Sequence, residues 1–192
     1  MINQKVGIYG GTFDPVHTGH IITTRYVLEK RELDKIIFVP NNISPLKTDS
    51  APTSNEHRLA MLKLAISDLP QFEFSDYELI KGDVSFTYDT LLEMKKHYSE
   101  IELIIGYDNL VVFDEWRNPD EIFDIAKVIV MKRNSDNPGK KNKYFDRAVI
   151  LETPAIDISA TEIRNRVRDG LPIDFLVPDK VKEYIYQHGL YK

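Results

Sequence analysis

Short apolar runs and longer stretches with helical periodicity alternate along this chain. Lys5–Tyr9, Lys35–Pro40, Phe72–Leu79, Glu100–Gly106, Ala126–Met131 and Arg147–Leu151 read as strands. Between and after them, Gly19–Arg31, Ser54–Asp68, Tyr88–Tyr98, Ser159–Arg168 and Asp179–His188 read as helices. In the second helix Leu59, Leu62, Ala65, Ile66 and Leu69 share one side, and Thr53 with Glu56 fits a capping box at its start. Gly189 stands where a helix C-terminal glycine is expected. Asn41–Pro52, with Pro45 and Pro52, reads as a loop, and Arg133–Arg147 as a mobile polar loop. Strand–helix alternation predicts an α/β fold: a Rossmann-like, doubly wound parallel sheet with helices on both faces. Nothing along residues 1–192 marks a second domain, so one domain is expected.

Composition narrows the function classes. A length of 192 residues, with 42% hydrophobic and 29% charged, suits a globular core. The net charge of -5 lacks the basic footprint of nucleic-acid binding, yet leaves room for a locally positive pocket. There is no cysteine, hence no disulfide and no thiolate metal site. Met1–Lys5 does not open a secretory signal, and no apolar run reaches membrane-spanning length. The expected location is cytoplasmic, with no membrane partner. The oligomeric state stays open, a homo-oligomer included.

Two segments carry the chemistry. Gly10-Gly11-Thr12-Phe13-Asp14-Pro15-Val16-His17-Thr18-Gly19-His20 joins the first strand to the first helix. Its histidines are three residues apart, so both can face one ligand. Glycines let the backbone approach that ligand, and the helix start offers free N–H groups to a phosphate. A glycine turn with Thr18 as a helix cap is the bland alternative. Neither G-x-G-x-x-G nor the P-loop pattern occurs. The second segment is Ile158-Ser159-Ala160-Thr161-Glu162-Ile163-Arg164. Ser159 and Glu162 make a capping box, while Thr161 and Arg164 add a hydroxyl and a guanidinium to the same helix start, a second anion site.

Other segments are less specific alone. Lys47, in Asn41-Asn42-Ile43-Ser44-Pro45-Leu46-Lys47, could be solvated; Ser85 or Thr87 could simply cap a helix; Trp116 could be a core aromatic; Arg133 could be a surface charge. The Lys140–Lys143 cluster reads as a solvated loop, and His57, His97 and His188 have no ligand-like spacing.

Together the motifs resemble those of the nucleotidylyltransferase superfamily: the HxGH of His17 to His20 in its Gly-Gly-Thr-Phe-Asp-Pro-Val setting, and ISSTxIR, with Ala160 replacing its second serine. The chain is most similar to the bacterial nicotinate-nucleotide adenylyltransferases, through the N-x-x-P-x-K loop ending at Lys47, the SYTxDTL-like Ser85–Leu91, Gly106-Tyr107-Asp108, Trp116 and Pro178–Val181. The usual proline-histidine pair before the lysine is not intact, and Tyr107 is larger than the usual residue, so its side chain must point away or alter the pocket.

The resemblance implies adenylyl transfer from ATP to nicotinate mononucleotide, giving deamido-NAD and pyrophosphate. It implies that His17, His20, Lys47 and Arg164 are catalytic. Gly10, Gly11, Thr12, Phe13, Gly106, Asp108, Arg133, Ser159 and Thr161 would bind ATP, and Lys47, Thr87, Tyr88 and Trp116 the pyridine nucleotide. Residues from about 159 to 192 would complete the ATP site. Magnesium is expected on the ATP phosphates rather than in a protein site. Other acceptors on the same motifs, nicotinamide mononucleotide or phosphopantetheine, remain open, as do a catalytically silent nucleotide-binding protein and, from a different class, a nucleic-acid-binding module.

Overall fold

Apolar runs buried on both faces call for parallel strands with helical crossovers. A computed structural model describes residues 2–43, 52–132 and 141–192. Its strands are β1 (Ile2–Gly11), β2 (Lys35–Pro40), β3 (Phe72–Phe74), β4 (Tyr98–Gly106), β5 (Lys127–Lys132) and β6 (Val149–Glu152). They form one sheet in the order β3-β2-β1-β4-β5-β6, and every neighbouring pair is parallel. The helices are α1 (Thr18–Lys30), α2 (Asn55–Ile66), α3 (Tyr77–Lys81), α4 (Thr87–Lys95), α5 (Tyr107–Val111), α6 (Pro119–Ile125), α7 (Ala160–Arg168) and α8 (Asp179–Gln187). This is the doubly wound, Rossmann-like α/β arrangement expected from the alternation. Among the described residues no helix is long and apolar enough to cross a membrane.

The strands divide their side chains between two cores. Ile36, Phe38, Ile104 and Ile129 join α1, α2, α7 and α8 on one face. Ile37, Val39, Leu103, Ile105, Val128 and Val130 join α4, α5 and α6 on the other. Gly7 lies mid-sheet, where a Cβ would fall within 2.9 Å of the Ile104, Ile36 and Leu33 methyls. A side chain there would overpack the centre of the sheet.

Several elements differ from the expected bounds. The strand expected over Phe72–Leu79 stops at Phe74. Tyr77–Lys81 is α3, with Glu78 buried and Gly82 in the left-handed region at φ 74°. Tyr98 begins β4 instead of ending α4. The cap of α2 is Ser54, whose hydroxyl accepts from the His57 N–H at 3.4 Å, whereas the Thr53 N–H donates to Asp14 at 3.1 Å. In the segment expected to be a polar loop, Tyr144 and Phe145 are buried, with Tyr144 stacked on Phe123 at 5.6 Å. These two aromatic side chains hold the described part of that segment, residues 141–147, against the second core; the rest of it lies outside the described residues. Gly189 has the expected positive φ, 58°.

Candidate active site

Strand order reverses between β1 and β4, which opens a crevice at the carboxyl ends of these strands. A cavity of about 1130 Å³ lies there, bounded by the ends of β1 and β4 and the starts of α1, α4 and α7.

The first end of the cavity is built by the turn after β1. His17 is the N-cap of α1, and its carbonyl accepts from the His20 N–H at 3.0 Å. Thr18 does not cap α1; its hydroxyl donates to the Phe175 carbonyl at 2.9 Å. The His17 and His20 rings stack at 3.6 Å. The His17 backbone N–H donates to Nδ1 of His20 at 3.1 Å. With Nδ1 an acceptor, the neutral His20 ring carries its proton on Nε2, which makes Nε2 a donor. Gly19 is needed for this stack: a Cβ would sit 3.0 Å from Nδ1 of His17. Phe13 adopts φ 50°, and its ring is 3% exposed, packed edge-on to His20 at 5.3 Å. Only its backbone is available to a ligand, because the ring serves to wedge His20.

His17 is buried, and Nδ1 has no hydrogen-bond partner among the described residues. Burial pushes its pKa down to about 4. The ring is therefore neutral at physiological pH and acts as a dipole, not a cation. Unfolded, it would bind a proton near 6.5. Between these values unfolding takes up a proton, so stability is lost as pH falls from about 6.5 to 4, by up to about 3 kcal/mol. Urea midpoints of wild type and His17→Gln measured across that range should show wild type losing ground. Parallel curves would contradict the assignment.

Asp14 gathers distant segments around the turn. Its carboxylate accepts from the Tyr191 hydroxyl at 2.7 Å and the Thr53 N–H at 3.1 Å. Its carbonyl accepts from Arg164 at 2.7 Å. The same guanidinium donates to the Thr161 hydroxyl at 3.1 Å, while the Ser159 hydroxyl caps α7 by accepting from the Glu162 N–H at 3.1 Å. The second anion motif is thus docked against the first. Burial and the Asp14 carboxylate raise the pKa of the Tyr191 hydroxyl, which keeps it a donor. Beneath the turn, Arg58 is fully buried and donates to the carbonyls of Thr12 at 2.6 Å, Asn41 at 2.7 Å and Thr53 at 3.1 Å.

The other end lies beyond β4. Gly106 brings the chain close to Asp108: a Cβ on it would meet the Asp108 carboxylate at 2.5 Å. The large Tyr107 ring turns into the second core, against Phe145. Trp116 lines the cavity, stacked on Phe113 at 4.7 Å, and its buried Nε1 has no partner among the described residues. Thr87 is the first residue of α4, and buried Glu78 accepts from the Thr90 hydroxyl of the same helix. Burial raises the Glu78 pKa.

His17, His20, Gly10, Gly11, Thr12, Phe13, Gly106, Asp108, Ser159, Thr161, Arg164, Thr87 and Trp116 therefore border one cavity. Tyr88, expected to touch substrate, instead packs against the second core and is not among the lining residues. As the residue after Thr87 in α4 it is turned about 100° from Thr87 around the helix axis. Lys47 and Arg133 lie outside the described residues. Sequence reasoning missed Arg58, Tyr191 and Glu78. Arg58 left a trace, since it shares the buried stripe of α2 with Met61, Leu62 and Ala65.

Comparisons with known proteins show the family and the fold. A family model described as cytidylyltransferase-like matches residues 8–166. The nicotinate-nucleotide adenylyltransferase of Bacillus subtilis is 38% identical, over 98% of this chain and 99% of that protein. The Plasmodium falciparum nicotinic acid mononucleotide adenylyltransferase complexed with APC has a similar fold, with TM-score 0.76, 18% identity and 98% of each chain covered. The same enzyme complexed with NaAD gives 0.72, at the same identity and coverage.

Proposed function

This chain belongs to the cytidylyltransferase-like family and within it to the nicotinate-nucleotide adenylyltransferases, and from that premise we infer how its cavity works. The enzyme transfers the adenylyl group of ATP to nicotinate mononucleotide, releasing pyrophosphate and forming deamido-NAD in NAD biosynthesis. The phosphate of the mononucleotide attacks the α-phosphorus of ATP. The bond from that phosphorus to the α,β-bridging oxygen breaks, and pyrophosphate leaves with the electron pair. The attacking phosphate is already largely dianionic near pH 7, its second pKa being about 6. Catalysis therefore rests on alignment and on neutralising charge at the α-phosphate and leaving group.

The observation that carries this reading is the stacked His17–His20 pair in one cavity with Arg164 and Thr161 at one end and Trp116 at the other. We assign the Nε2 proton of His20 to the α-phosphate, and neutral His17 to the neighbouring phosphate oxygens. Gly10, Gly11, Thr12 and Phe13 offer backbone donors, and Thr161 and Arg164 bind the leaving phosphates. Ser159 caps α7 so that its N–H groups face the same anion. Asp108, beside Gly106, holds a ribose. Thr87 and Trp116 hold the pyridine ring. Lys47 and Arg133 would add positive charge from the two segments flanking the cavity. In this proposal residues 159–192 complete the ATP site of one unit spanning 1–192, through the Arg164 and Tyr191 contacts to Asp14. The cytoplasm is the proposed compartment.

Among the described residues no group of three or more His, Cys, Asp or Glu could hold a metal ion. The donors at the phosphate end, imidazole, guanidinium, hydroxyl and amide, fit phosphate oxygens better than a hard cation. We place magnesium on the ATP phosphates, where it would offset their charge.

ATP labelled at its α-phosphate tests the reaction. The label should appear in the dinucleotide, with unlabelled pyrophosphate released in equal amount. Label recovered only in AMP, with nicotinate mononucleotide unchanged, would overturn the reading.

A further inference from the structure

Transfer between two bound nucleotides needs the attacking and reacting atoms aligned to well within about 1 Å. The span between the two ends of the cavity therefore matters as much as either end alone. The phosphate end stands on β1 and on buried Arg58. The acceptor end starts at Thr87, but residues 82–86, just before it, belong to no strand of the sheet. Among the described residues, their one β contact is the isolated parallel bridge of Val84 with Ile43.

Residues 41–43, directly after β2, form a strap between the two ends. On one side the Asn41 N–H donates to the Gly11 carbonyl at 3.0 Å, and Arg58 donates to the carbonyls of Asn41 and Thr12. On the other side Asn42 grips the segment before α4 twice. Its backbone N–H donates to the Ser85 hydroxyl at 2.9 Å, and its Nδ2 donates to the Asp83 carbonyl at 3.2 Å. The Ser85 N–H returns a bond to the Ile43 carbonyl at 3.0 Å. The Asn42 side chain is fixed in turn: its Oδ1 accepts from Nδ2 of Asn55 at 2.6 Å, and Oδ1 of Asn55 accepts from Arg58. Behind Ser85, burial pushes the Glu78 pKa up, and the Thr90 and Ser85 hydroxyls offset part of that rise. Arg58, Asn55, Asn42 and Ser85 thus make one series of hydrogen bonds from the phosphate turn to the start of α4. Asn42 and Ser85 both border the cavity, yet the side-chain oxygen and nitrogen of Asn42 are engaged with protein groups. Linked polar groups with both ends satisfied hold a geometry more firmly than separate contacts do.

We propose that Asn42 and Ser85 are positioning residues that clasp the start of α4 to the phosphate turn and so set the distance between the two bound nucleotides. The adenylyl-transfer reading, on which this rests, supplies the two ends; the clasp sets their alignment. Each end keeps its own binding groups without the clasp. What is lost is the alignment of the attacking phosphate with the α-phosphorus once both nucleotides are bound, a loss that falls on the transfer step.

The test compares wild type with Asn42→Ala, Ser85→Ala, the double variant and Ser85→Thr. Single-turnover dinucleotide formation is followed with ATP, magnesium and nicotinate mononucleotide at saturation. Calorimetry gives Kd for each nucleotide alone, and urea midpoints report the fold. Each alanine variant should slow the transfer step by about 10- to 100-fold. Kd for either nucleotide alone should change by less than about threefold. The double variant should be little slower than the slower single one, because both cut the same series. Ser85→Thr keeps the hydroxyl and should retain most of the rate. A merely structural role would lower the urea midpoint and leave the single-turnover rate of the folded protein unchanged. If Asn42→Ala does not fold, Asn42→Asp is read in the same way, since it keeps the acceptor for Asn55 and loses the donor to the Asp83 carbonyl. An unchanged rate in a folded variant, a rate loss that saturating nucleotide restores, or strictly multiplicative losses in the double variant would overturn the clasp while leaving the reaction intact. A wild-type protein that forms no dinucleotide would instead overturn the adenylyl-transfer reading, and this inference with it.

Discussion

His20→Ala should lower kcat by about 10²- to 10³-fold, the usual cost of removing one donor aimed at developing negative charge. ATP affinity should change by less than about tenfold. The reason is geometric. The His17 N–H pins Nδ1 of His20, the His17 ring stacks on one face, and Phe13 closes from the edge. The Nε2 proton is thereby fixed before substrate arrives, and fixed donors contribute most where charge grows in the transition state. Single-turnover pyrophosphate release, with ATP binding measured separately by calorimetry, checks this. A variant impaired in ATP binding alone, with the turnover step intact, would assign His20 to ground-state binding. His20→Asn, which keeps a donor at lower reach, should recover part of the rate.

Arg58→Met should destabilise the fold by about 3–5 kcal/mol, the cost of breaking a buried charged network by removing one member. Arg58 ties three segments, through the carbonyls of Thr12, Asn41 and Thr53. Each carbonyl left buried without a donor costs about 1–3 kcal/mol, in part recovered where water enters. Burial lowers the Arg58 pKa while Asp14 and Tyr191 raise it, with burial the larger influence. Because Thr12 belongs to the phosphate-binding turn, activity should fall along with stability. Urea unfolding with an unchanged slope measures the loss. Arg58→Lys keeps a cation but reaches fewer carbonyls, so it should fall between the two. A loss below about 1 kcal/mol would mean that the three segments hold together without the guanidinium.

Much of this architecture is legible in the chain because its signals are local. β2 matches its expected bounds, and β1, β4 and β5 differ only at their ends, since Val- and Ile-rich runs leave few alternatives to a buried strand. His17 and His20 meet because a helix start brings residues three apart together. Ser159 caps α7 as its spacing to Glu162 requires. What was not legible depends on contacts distant in sequence. Tyr191 reaches Asp14 across 177 residues, and Arg58 reaches Thr12 across 46. No periodicity encodes either. The short α5 and α6, at five and seven residues, fall below the length at which an apolar stripe shows. α3 was hidden by the apparent alternation of Phe72–Leu79, which local packing resolves into a three-residue strand and a turn of helix.

The most direct measurement is magnesium-dependent pyrophosphate release from ATP with nicotinate mononucleotide, nicotinamide mononucleotide and phosphopantetheine compared at equal concentration. The account predicts the highest kcat/KM with nicotinate mononucleotide, and loss of that turnover in His20→Ala. Preferred turnover of another acceptor, or ATP binding with no turnover of any of the three, would contradict it.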